Sequence, residues 1–251
     1  MDSLGALEIS VLISSVLVGS IVLSSLGFGI GMVAIPFLLL VLEPQAAVVT
    51  LAPAGACMGL MTYWRNRQYV PMTDTIPILI FAVLGSITGV YILSSSDDQI
   101  LRISIVLIIM LLTLVTTIKP AAMENKIPYP RVVGSGIGYL VAVMMGSMHI
   151  GGPLLVLFFL IRGWKSYAIR GSMPLFLACV TITSSIGFLP AGLYTEKTII
   201  MSVIALVPTI IGYALGSRIA NRMNERVFRK LAVLLILSSS VLVLAKELTN
   251  I

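Results

Sequence analysis

His149 is the only histidine among 251 residues, and Ile150, Gly151, Gly152 and Pro153 follow it directly. An imidazole changes charge near neutral pH, so this one could take up and release a proton. Paired glycines allow a sharp turn and a close approach of backbone. Proline suits the first turn of a helix, where its missing N–H costs nothing. The stretch therefore reads as a helix break followed at once by a new helix start. A helix start offers free N–H groups and partial positive charge, which is chemistry for holding an anion without an arginine. A second break, "GFGIG" over 27–31, lies near the beginning of the chain, with Pro36 beyond it.

The surroundings of both breaks are apolar. Hydrophobic residues make up 58% of the chain and charged ones 10%, and the mean hydropathy is +1.09. A water-soluble domain needs more charge to cover its surface. Several uncharged runs are long enough to cross a bilayer. The net charge of +6 is spread over short loops and is no nucleic-acid footprint; it speaks to membrane orientation. Cys57 and Cys179 fall in apolar segments at a spacing that suits no metal site, and nothing supports a disulfide between them. Asp2 and Glu8 near the beginning, with no basic stretch, do not read as a cleaved signal peptide.

The apolar segments come in the same order twice. Residues 8–42 form a long broken run, followed by spans 45–64, 76–93 and 100–118. After a polar linker, 119–131, come a second broken run, 132–162, and spans 168–190, 198–217 and 231–246. "GSITGVYILSSSDDQILR" (85–102) lies over "GYALGSRIANRMNERVFR" (212–229), matching Gly85 to Gly212, Gly89 to Gly216 and Arg102 to Arg229. Gly31 matches Gly151, and Pro53 matches Pro174, at nearly the same offset. The expected units are thus repeat 1 over 1–118 and repeat 2 over 132–251. Transporters are often built from such weak internal symmetry.

Charge decides how the repeats are oriented. If each broken run crosses once, lysines and arginines divide seven to nine. If each dips in and returns to its own side, Arg65, Arg67, Arg131, Arg162, Lys165, Arg170 and seven others share one side. Only Arg102, Lys197 and Lys246 lie opposite. The positive-inside rule selects this second arrangement. It makes the linker cytoplasmic, puts both termini outside and sends the two hairpins in from opposite faces. Trp64 and Trp164 then flank basic loops, as interfacial anchors do. The expected fold is an all-α polytopic membrane protein of two inverted-topology repeats, each a broken-helix hairpin plus three transmembrane helices. The return limbs, Met32–Leu42 and Pro153–Arg162, are short enough to span about half the hydrocarbon core. Both would start near the bilayer centre, where broken backbone must be buried or line a cavity.

All ten acidic residues lie in loops or at segment ends, unlike the intramembrane carboxylates of many cation carriers. His149 either packs the hairpin tip or serves substrate or proton. Arg170 and Ser172 open the span after the second hairpin; they either mark topology or form a cytoplasmic gate or relay. Thr50 and Pro53 occupy the matching span of repeat 1, where proline can kink or hinge. One histidine and no HExxH motif argue against intramembrane hydrolysis or metal chemistry. No cofactor or nucleotide-binding loop is expected. The alternatives to a carrier are an anion channel and a non-transporting assembly or scaffold factor. Proton coupling and a homo-oligomer are both compatible with the sequence.

"GFGIGMVAIPFLLL", "GSMHIGGPLLVLFFLIRGWKSYAIRGSMPLFL" and the ending "GYALGSRIANRMNERVFRKL" resemble the signature segments of TauE/SafE-type sulfite exporters (four-toluene-sulfonate-uptake-like permeases). The resemblance covers nearly the whole chain, most specifically in its second half. It implies a multipass inner-membrane permease for sulfite, sulfonate or a related small oxoanion. By motif position it implies a site at Gly29, Gly31, Pro36, Gly151, Gly152 and Pro153. The first motif has fewer glycines than the family's pattern, with Ile30 and Met32 flanking Gly31. His149 is not carried over from the family and stands as a candidate on its own chemistry.

Overall fold

Hydrocarbon gives a backbone no hydrogen-bond partner, so a chain this apolar must satisfy its own amides in helices. A computed structural model describes residues 5–26, 29–117, 128–219 and 225–249, with side chains over 5–25, 29–114, 128–218 and 233–246. Among the described residues it is all helix and turn, without strands. The first five helices are α1 (Ala6–Leu26), α2 (Ile30–Leu38), α3 (Pro44–Asn66), α4 (Met72–Ser95) and α5 (Asp98–Thr117). The next five are α6 (Pro130–Met148), α7 (Gly152–Ile161), α8 (Ser166–Phe188), α9 (Glu196–Ile219) and α10 (Glu225–Thr249). Six of them, α1, α3, α4, α6, α8 and α9, are long and apolar enough to cross a membrane. The chain is an all-α polytopic membrane protein.

The two broken runs resolve into α1–α2 and α6–α7, and the six expected spans into α3–α5 and α8–α10. The first return limb differs from expectation: α2 covers Ile30–Leu38, not 32–42. Pro36 lies inside it and lacks the N–H that Met32 would need four residues on. The chain then tightens, with Leu40 N–H donating to Phe37 O at 3.2 Å and Val41 N–H to Leu38 O at 3.0 Å. Two cations close this end. Arg102 donates to Leu39 O, and Lys246 Nζ to Leu40 O at 2.9 Å, where a helix C-terminus favours positive charge.

Glycines set which helices can approach. α4 packs along α6, and a Cβ on Gly85 or Gly89 would overlap the carbonyl oxygen of Tyr139 or Val143. α9 packs along α1, where a Cβ on Gly212 would stand 2.6 Å from Ser20 Cβ and one on Gly216 2.7 Å from Ile21 O. The glycines matched by sequence thus perform one task at two corresponding crossings, close backbone approach. Each half packs its fourth helix, α4 or α9, against the broken segment of the other half. α3 and α8 run antiparallel between them, Gly55 facing Thr181 and Gly59 facing Ala178.

Ion pairs tie the helix ends. Glu8, opening α1, accepts from Lys197, opening α9, at 2.8 Å. Asp74, near the start of α4, holds Arg131 at 3.1 Å and Arg162 at 3.0 Å. Arg131 opens α6 and Arg162 follows α7, so both ends of that broken segment meet at one carboxylate. Glu8 likewise shares a cleft with Val41, Leu42 and Glu43. The linker segment 118–127, Gly27, Phe28 and the side chains of Glu225 and Arg229 lie outside the described residues.

Candidate functional site

The breaks are made by residues that tolerate unusual backbone. Gly29 caps α2 with φ 115, and Gly151 caps α7 with φ 143. A side chain is strained at such angles, and glycine is not. The structural counterpart of Gly151 is therefore Gly29 rather than Gly31. His149 ends α6 in the left-handed region, φ 57, its N–H donating to Met145 O at 3.0 Å. Histidine is among the few non-glycine residues enriched there. Pro153 stands in the first turn of α7, where the sequence placed it.

The two breaks meet. Gly31 lies against the backbone of His149, and a Cβ at 31 would overlap the His149 carbonyl oxygen. Gly29, Gly31, His149, Gly151, Gly152 and Pro153 line one cavity of about 30 Å³. That is room for a water-sized occupant, so a larger ion needs the helices to part. The amides of Ile150, Gly151 and Gly152 have no acceptor among the described residues. Leu154 N–H turns back to Gly151 O at 3.1 Å. The remaining wall is apolar, including Leu23, Met145, Met173 and Leu177, and among the described residues no charged side chain lines it. Backbone dipoles and one imidazole are the polar groups an occupant would meet.

Pro36 does not join this set. It is buried as the seventh residue of α2, near the end away from the break. The three gate candidates are not brought together either. Arg170 is exposed as the fifth residue of α8. Ser172 is fully buried, with its Oγ 3.3 Å from Thr75 Oγ1. Thr50 is buried on α3, and its hydroxyl has no partner among the described residues. Because α3 and α8 are antiparallel, Thr50 and Ser172 fall on opposite sides of the Gly55–Thr181 contact. The tryptophans differ from each other. Trp64 is 68% exposed under the Arg67 guanidinium, while Trp164 stacks on Phe159 with ring centroids 4.3 Å apart. Cys57 and Cys179 are free thiols.

Gly55 is a site residue that sequence reading missed. A Cβ there would stand 2.7 Å from His149 Nε2, so its bare backbone forms the seat of the ring. Its only signal is a small residue in "APAGACMG", which fits any helix contact.

Apolar spanning helices around two buried backbone breaks define a multi-pass membrane protein. The family model of the sulfite exporter TauE/SafE matches residues 11–243, and the chain belongs to that family, whose members are membrane transporters of sulfur-related anions. No curated protein and no solved structure matches the chain.

Proposed function

We propose that the protein is a secondary transporter for a small sulfur oxoanion, sulfite or a sulfonate, bound between the N-termini of α2 and α7. One observation carries this reading: two glycine-capped helix starts, distant in sequence, line the same cavity. Paired helix starts concentrate N–H donors and partial positive charge where an oxoanion needs them. Gly29, Gly31, Gly151 and Gly152 bring that backbone to the ligand, and Pro153 suits the first turn of the second helix. The small cavity, with room for a water-sized occupant, favours a carrier whose helices part around the anion over a continuously open channel.

The architecture we infer is two inverted repeats, 1–118 and 132–251, joined by a cytoplasmic linker, in the plasma (inner) membrane with both termini outside. The antiparallel α3–α8 pair supports it, since these helices hold the same place in the two halves. So does the return of each broken segment to the end where it began. The thirteen-to-three division of basic residues assigns the Asp74 end to the cytoplasm.

Uptake or efflux of sulfite, methanesulfonate, sulfate and chloride by proteoliposomes of the purified full chain tests this reading. Sulfite or sulfonate flux above empty vesicles is expected, and its loss in Gly152→Leu at unchanged insertion. A protein that moves none of these anions would remove the proposal.

A further inference from the structure

The His149 ring stands between the anion cavity and the α3–α8 seam. Cδ2 faces Gly31, and Nε2 and Cε1 face Gly55, where a Cβ would come within 2.7 Å and 3.1 Å of them. The residue is 4% exposed, and Nε2 is buried without a partner among the described residues. An orphaned buried nitrogen calls for a reason. The left-handed corner does not supply one, because glycine or asparagine would hold it too. The cavity does. It has no charged wall, so a bound oxoanion meets only the partial charges of two helix starts. A sulfite dianion would leave much of its charge uncompensated in an apolar surrounding. A proton on the imidazole puts a full positive charge beside it, spread over the ring whichever nitrogen receives it.

We infer that His149 is a proton site loaded together with the anion: imidazolium and oxoanion enter as a pair, with the ring seated against Gly55. This rests on the anion site proposed above. His149 ends α6, its ring faces α2 and α3, and α8 lines the same cavity. α2 has no titratable side chain; α3 has Cys57, Tyr63 and Arg65, α6 has Arg131 and Tyr139, and α8 has Tyr167, Arg170 and Cys179. None of these lines the cavity. None of the four helices carries a carboxylate, so the anion itself is the counter-charge available to the imidazolium.

The test is binding of methanesulfonate to the purified full chain at pH 5 to 8, the range in which an imidazole titrates. Methanesulfonate stays ionised throughout, whereas sulfite would itself take up a proton. Wild-type affinity is expected to rise about tenfold per unit fall in pH above the imidazole pKa, the slope of one linked proton. His149→Gln and His149→Asn are expected to bind with pH-independent affinity. A flat wild-type profile, or a variant that keeps the slope, overturns the proton site and leaves the anion site standing. No wild-type binding of methanesulfonate or sulfite at any pH would instead sink the anion reading. Proton uptake needs no variant: mixing methanesulfonate with weakly buffered wild-type protein should draw about one proton per bound anion at a pH above the imidazole pKa. Binding without uptake anywhere in the range overturns the inference.

Discussion

Gly31 and His149 touch backbone to backbone, so close that Gly31 has no room for a methyl group. They are 118 residues apart in sequence, and their contact joins the two broken segments into one site. Gly31→Ala must push the breaks apart, which should cost about 1–3 kcal/mol as overpacking does. Gly136→Ala is the control. Gly136 lies on the exposed face of α6 with open space around it, and alanine there should be neutral or stabilise by up to about 1 kcal/mol. Thermal unfolding in detergent separates the two. Equal stability would mean the breaks do not bear on each other.

Gly152 starts α7 at the cavity wall. Gly152→Leu should leave a folded, inserted protein that no longer binds sulfite or sulfonate, because a branched side chain would fill the space beside the amides. Anion titration alongside a melting curve checks this. Full affinity in a well-folded variant would make the breaks packing features only.

The glycine crossings should be sensitive in pairs. Gly89→Val on α4 and Gly216→Val on α9 face corresponding backbones on α6 and α1. Both should lower the melting temperature substantially, with losses of similar size. A severe loss for one and none for the other would show that the crossings are not equivalent supports.

The end clamps should differ in strength. Asp74→Asn strips two arginines of their partner, one of them largely buried, and should cost about 1–2 kcal/mol, between exposed and buried pairs. Glu8→Gln breaks one partly buried pair with a single partner, against two at Asp74, and should cost about 1 kcal/mol. Unfolding at low and high salt measures both. A larger loss at Glu8 would contradict this ranking.

Sidedness is open to labelling. In a background without Cys57 and Cys179, a cysteine at Ser95 should react with an impermeant reagent from outside. One at Gln68 or Ser166 should react only after the membrane is opened. External reaction at Ser166 would refute the return of the second broken segment to the cytoplasm.

What the sequence determined by itself was the solvent, the helices and the places where they break. These follow from local physics: hydrocarbon demands helices, while glycine and proline interrupt them in ways their neighbours cannot hide. Hence His149, Gly151, Gly152 and Pro153 were legible as one feature, and Gly85 and Gly89 could be matched to Gly212 and Gly216. Family membership was legible for the same reason, since it resides in those segments. Tertiary structure decided the rest. Pro36 followed its break and was implied as a site residue by motif position, but it lies six residues beyond the start of α2 and does not line the cavity. Arg170, Ser172 and Thr50 looked related by position in the repeat, yet the antiparallel α3–α8 pair carries Thr50 and Ser172 apart. Gly55 shows the limit most clearly. A glycine inside a long helix has no local signature of what will fill the space over it, and only folding brings the His149 ring there.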